Sequence, residues 1–294
     1  MVKHTKHEYE NNPFFIGLNG IKLLFAKAQS VAIFAIVLCV LAFVGNTVAN
    51  IVDFATSYND DQSKYTHDLR PIDGKPAPVE PSVDASPLTS SDMTLVTVVI
   101  VIVAVVLLVA ILISLWLYGT FEYTGAQLAL DKEVKLKEAL LVSAKRLGSY
   151  LWLNILVVIK IFLWSLLLII PGFIMAIRYS LSGTVFFAEN KKGNAAIKRS
   201  TELTKGAWFT TFAAYGLWNL ITFNQVTALL QPGTSAILYR QLRDATDSNK
   251  PKPAAHWLSW LTFFVPLAFV VMIAGIILIA VLLITSANIN THIQ

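Results

Sequence analysis

Apolar residues gather along this chain into six stretches, at about 31–52, 93–118, 150–170, 173–188, 208–230 and 257–285. A helix needs roughly 20 residues to cross ~30 Å of hydrocarbon, so each stretch is a candidate membrane span. The fourth is short, and the sixth, which contains Pro266, is long. In lipid every backbone polar group must be satisfied within the segment, which favours helices for such runs. The pattern predicts an all-α, polytopic membrane helix bundle of about six transmembrane helices. It forms a single integral membrane domain over 1–294, with two cytoplasmic amphipathic helices at 131–147 and 194–205.

Composition strengthens that reading. The chain is 55% hydrophobic and 14% charged, with a mean hydropathy of +0.63, well outside the usual range for soluble domains. The first stretch begins too far in, and is too long, for a cleaved signal peptide, so it is expected to stay in the mature protein. The single cysteine, Cys39, lies inside that stretch, which leaves no disulfide framework and no thiolate metal site.

Lys and Arg collect in loops that stay on the cytoplasmic side. Segment 1–30 carries Lys3, Lys6, Lys22 and Lys27. Loop 119–149 carries Lys132, Lys135, Lys137, Lys145 and Arg146, and loop 189–207 carries Lys191, Lys192, Lys198, Arg199 and Lys205. Loop 53–92 instead has eight acidic residues and several prolines, so it is expected outside, solvated and poorly ordered. With six spans, loop 231–256 also falls outside, although it holds Arg240, Arg243, Lys250 and Lys252. Pro232-Gly233 reads as a turn signal there, and 235–245 as a short interfacial helix. The expected location is the cytoplasmic membrane, multi-pass, with both termini cytoplasmic.

Two of the inner loops have helical faces. Segment 131–147 places Leu136, Leu140, Ala144 and Leu147 together. Segment 194–205 places Ala196, Ile197, Ser200 and Leu203 together, with Lys198, Glu202 and Lys205 opposite. Asn194 is the expected N-cap, and Gly148 and Gly206 the expected stops. Basic amphipathic helices lie in the headgroup layer, where each Lys or Arg near anionic lipid contributes ~1 kcal/mol. Either these helices are flat connectors or they bind phospholipid or a partner; their resemblance to one another hints at an internal repeat.

Between them lies a hairpin with two cations in hydrocarbon, Lys160 and Arg178, each costing ~2.5–3.5 kcal/mol on insertion scales. Taking Pro171-Gly172 as the turn puts Lys160 level with Gly183, Arg178 with Ser165 and Glu189 with Asn154. Arg178 is near enough to the turn to snorkel to the headgroups, whereas Lys160 is not. No acidic residue lies in either arm of the hairpin. Two readings stand: a phosphate or phospholipid-headgroup site, with Lys160, Arg178, Lys198, Arg199 and Lys205 as candidate contacts, or a structural arrangement in which Arg178 anchors and Lys160 is satisfied locally.

The run from Ile170-Pro171-Gly172 through Arg178, then Glu189, then 195–206 resembles the membrane domain found beside glycerophosphodiester phosphodiesterase domains and in related uncharacterised bacterial membrane proteins. Pro171, Gly172, Arg178, Glu189, Ser200 and Gly206 fit that pattern; the likeness is good over about 165–210 and only one of hydropathy elsewhere. It implies a six-helix cytoplasmic-membrane protein and brings no enzyme, because the phosphodiesterase of fused members is a separate soluble barrel.

The chain shows no Gly-rich phosphate loop, nucleophile elbow or zinc motif, and its histidines are scattered over tails and loops. No cofactor is expected. The net charge of +5 follows from membrane topology rather than from nucleic-acid binding. Membrane lipids, anionic phospholipid among them, are the expected partners. The expected role is non-enzymatic, in membrane homeostasis or assembly. The alternatives are a transporter or flippase for an anionic or phospholipid substrate, and an accessory subunit of a lipid-acting enzyme. With the second span ending at Tyr118, no intramembrane acid is available for ion coupling.

Overall fold

The computed structural model describes residues 9–67, 90–222 and 227–291, and among them there is no strand. The helices are α1 (Pro13–Lys27), α2 (Gln29–His67), α3 (Ser90–Ala129), α4 (Leu136–Lys145), α5 (Leu147–Leu167) and α6 (Ile169–Tyr179). They continue with α7 (Ser182–Ala188), α8 (Asn194–Thr204), α9 (Trp208–Ile221), α10 (Thr227–Asp247) and α11 (Ser259–Thr291). The all-α expectation is met. Five stretches of the described residues are long and apolar enough to cross a membrane: Gln29–Tyr58, Val96–Ala129, Leu147–Leu167, Ile169–Ala188 and Ser259–Ile279.

The chain divides into two compact units, where the hydropathy pattern predicts one domain. The smaller unit, Val37–Leu115, holds the C-terminal stretch of α2 and the N-terminal stretch of α3. From Val98 to Leu108 its large hydrophobic side chains remain at least half exposed. A helix apolar all round with nothing packed on it needs lipid as its cover, so the protein is membrane-embedded. Residues 53–67, expected to be unstructured, continue α2 as helix; the rest of the acidic loop, 68–89, lies outside the described residues.

The larger unit comprises Met1–Ile36 and Trp116–Gln294. Its N-terminal helix α1 goes unread in the hydropathy pattern. Asn12 caps it by accepting from the Phe14 amide at 3.0 Å, and Pro13 follows at the first helical position. Its buried face, Ile16, Gly17, Gly20 and Leu24, packs on α9 and α10.

The stretch expected to be the fifth span, 208–230, holds no single described helix long enough to cross a membrane. Its described residues form α9, only 14 residues long, and the start of α10, and the two helices touch where the Tyr215 hydroxyl bonds Ser235 at 2.9 Å. Pro232-Gly233 falls inside α10 rather than in a turn. The two residues form a thin strip where backbones approach. A Cβ on Gly20 would lie 2.7 Å from the Gly233 carbonyl carbon, and one on Gly125 would lie 2.9 Å from the Pro232 carbonyl oxygen. Helix α10 is therefore the centre of this unit, flanked by α1 and the end of α3. Its Gln231, Thr234 and Ser235 are buried against protein, so it need not be apolar.

The far end of α10 brings three connecting segments into contact. Tyr239 donates to Glu189 at 2.9 Å, Arg240 to the Leu128 carbonyl at 2.8 Å, and Arg199 to Asp247 at 2.5 Å. Lys252 donates to the carbonyls of Glu202 and Leu203, both at 2.7 Å. Segment 239–252 thus meets 128–131 and 189–205. Six crossings predict instead that loops 231–256 and 189–207 lie apart, on opposite sides of the membrane.

Candidate functional site

The α5–α6 hairpin turns at Leu168, whose extended backbone (φ −162, ψ 141) separates the two helices. Pro171 and Gly172 sit in the first turn of α6, where a missing N–H costs nothing. Gly172 is the close-approach point: a Cβ there would lie 2.8 Å from the Ser165 Cα. The turn is earlier than predicted, so the depth partners slide. Lys160 faces the neighbourhood of Ile177 instead of Gly183, and it lines a cavity with Met175 and Tyr179, either side of that position.

Helix α8 packs along this hairpin through its buried Ala196, Ile197, Ser200 and Leu203, the face predicted from sequence. Two hydroxyls pin it to α6: Ser200 donates to the Arg178 carbonyl at 2.7 Å, and Thr204 to the same oxygen at 3.3 Å. Its N-cap is Gly193 at φ 50, not Asn194, which is the first helical residue. Gly206, at φ 83, stops it as expected. Helix α4 departs more. Its buried positions are Ala139 and Ser143, Ala144 is exposed, and the break before α5 falls at Arg146 rather than Gly148.

The docking of α8 brings Lys160, Lys198 and Lys205 into one open cavity of about 570 Å³, with Asn194, Thr201 and Glu202 also in its wall. Three of the five candidate contacts thus converge. Arg178 does not line the cavity. Its Nη1 rests 3.9 Å from the Met175 sulfur, and its Nε is buried without a hydrogen-bond partner among the described residues. Arg199 has a different task, donating to Glu189 (3.1 Å) and Asp247.

Lys252, outside the sequence-derived set, caps the C-terminus of α8 through the two carbonyls it reaches. Burial holds its ammonium below the usual lysine range, and the nearby cations Arg199, Lys205 and Arg178 add to the lowering. The end of α8 is therefore a field of positive charge only partly offset by Glu202. Glu189, by contrast, is tied to structure. Burial pushes its carboxyl up, but Lys191, Arg199 and Tyr239 outweigh burial and hold it below the usual range.

A second acid escaped the hydropathy reading. Helix α3 runs eleven residues past Tyr118, and Glu122 lies buried within it, so an acid does stand inside a candidate span. The available signal was local: Tyr118, Thr120, Tyr123 and Thr124 surround it without a single Lys, Arg or Pro, as a helix continuing into a protein interior would require.

Comparison with protein-family models, with curated proteins and with solved structures returned no match to this chain.

Proposed function

We propose that this chain is a non-enzymatic, multi-pass membrane protein that binds anionic phospholipid headgroups at the Lys160–Lys198–Lys205 cavity, in support of membrane homeostasis or assembly. One observation carries the reading: a lysine from an apolar, membrane-length helix shares a cavity with two lysines of an amphipathic helix. Lysine ammoniums at that junction match a phosphate, and the half-exposed Ile159 and Leu163 on α5 offer apolar surface for acyl chains. The likeness of residues 165–210 to the phosphodiesterase-associated membrane domain belongs to the same proposal and extends no further along the chain.

The topology belongs to it too. With α9 and α10 entering and returning on one face, five crossings remain, and the C-terminus lies across the membrane from the basic loops. Arg240, Arg243, Lys250 and Lys252 then join the other cytoplasmic cations, which removes the one exception to the positive-inside pattern.

The test is retention of lipid by the full-length protein in nanodiscs of mixed phosphatidylglycerol and phosphatidylcholine, read by native mass spectrometry. Three lysines at about 1 kcal/mol each amount to a loss on the order of 100-fold in phosphatidylglycerol affinity for Lys160→Met/Lys198→Met/Lys205→Met. Equal retention by the variant and the parent sinks the proposal. Transport of the same headgroup is the second reading, favoured by the position of Lys160 within a spanning helix while its partners lie at the interface. Leaflet exchange of a fluorescent anionic lipid in proteoliposomes separates transport from binding alone.

A further inference from the structure

Glu122 is 2% exposed, and its carboxyl is held by neutral groups only, the Tyr118 hydroxyl among them. Thr184 donates to Oε2 at 2.7 Å and Gln231 donates to Oε1 at 2.8 Å. Gly183 presses against it closely enough that a Cβ there would lie 2.8 Å from Cδ. No Lys, Arg or His among the described residues pairs with it. A buried carboxylate fixed by hydroxyls and an amide but lacking a cation is expensive, and either a proton or a bound cation relieves it.

The surroundings identify what kind of cation fits. Glu122 lines a cavity of about 380 Å³ whose wall includes the aromatic side chains Tyr118, Phe212, Tyr215 and Trp218. A second cavity of about 110 Å³ shares Tyr118, Glu122, Ala176 and Ser180 with it. Ser180 Oγ, in the wall of both, is buried with no hydrogen-bond partner among the described residues. A hard metal ion requires six or more oxygens at short range, which this largely aromatic and aliphatic wall does not offer. The volume is that of a small organic ligand. Aromatic faces around a single carboxylate are the chemistry that recognises alkylammonium groups.

We infer that the Glu122 cavity binds a monovalent organic cation, an aromatic or alkyl amine, with Glu122 as counter-charge and the aromatic wall as its cage. This site is separate from the lysine cavity, and neither depends on the other.

The probe is benzyltrimethylammonium, titrated calorimetrically into the full-length protein in nanodiscs beside its neutral isostere neopentylbenzene and sodium chloride. The parent protein binds the ammonium. Glu122→Gln weakens that binding on the order of thirtyfold while leaving the neutral isostere unchanged. Ala176→Phe, which fills the cavity and keeps the carboxylate, abolishes binding of both organic probes, so the inference is tested even if Glu122→Gln fails to fold. Lys160→Met/Lys198→Met/Lys205→Met leaves ammonium binding intact, which separates this site from the headgroup reading. Failure of the parent protein to bind the ammonium, an undiminished Glu122→Gln, equal weakening of both organic probes, or binding of sodium alone each overturns the inference.

Discussion

Gly233 of α10 lies directly against the backbone of Gly20 on α1; a side-chain carbon on Gly233 would fall on the Gly20 carbonyl. That contact joins an N-terminal helix invisible to hydropathy with a helix whose Pro232-Gly233 reads from sequence as a turn. It is what lets α10 run through the middle of the larger unit.

Replacing Gly233 with Ala forces the two backbones apart. The expected cost is about 1–3 kcal/mol, the usual range for overpacking, read as a lower melting temperature of the detergent-solubilised protein. Gly45→Ala is the control: nothing lies within 4 Å of its added Cβ, so it should be neutral, or more stable by up to about 1 kcal/mol from helix propensity.

Arg199 links α8 to Glu189 and to Asp247 at the end of α10. Arg199→Met leaves the half-buried Glu189 with fewer partners, at about 1.5–3 kcal/mol, the range for a hydrogen bond to a charged group. Limited proteolysis between residues 189 and 207 should accelerate. An unchanged cleavage rate would show that the packing of Ala196, Ile197 and Leu203 holds α8 without the ion pairs.

Acid should loosen the same corner. Because Lys191, Arg199 and Tyr239 outweigh burial and lower the Glu189 pKa in the folded protein, the unfolded chain binds the proton more readily. The stabilisation is fully present above the unfolded value of about 4.3 and is lost as pH falls through the folded value. Melting curves from pH 7 to pH 3 should show no loss from this group above about pH 5 and a decline below it. Glu189→Gln should flatten that decline.

The shared face of 128–131, 189–205 and 239–252 makes a topological prediction. In a Cys39→Ser background, Asp131→Cys and Asn249→Cys should react with an impermeant maleimide from the same side of sealed vesicles. A C-terminal reporter should report the opposite side. Labelling of the two cysteines from opposite sides would restore six crossings.

Much of the fold can be read directly from residue order. The apolar cores of α2, α3, α5 and α11 and the buried face of α8 are legible because lipid and a two-sided interface each impose a composition. Helix α1 carried a readable signal in Asn12-Pro13, while of α10 only 235–245 read as helix, because Gln231, Pro232 and Gly233 look like a turn until other helices cover them. The lysine cluster was half legible, since Lys160, Lys198 and Lys205 each stood out but not their meeting.

Sequence by itself determined that this chain is helical and lives in a membrane, because backbone hydrogen bonding and hydrocarbon thickness leave long apolar runs little alternative. It also determined where along the chain the positive charge clusters. Only tertiary structure decided that the hairpin turns at Leu168, that α10 packs on α1, and that Glu122 is interior. Each of these depends on close approach at a glycine, at Gly172 on Ser165, Gly20 on Gly233 and Gly183 on the Glu122 side chain, and no local period encodes those pairings.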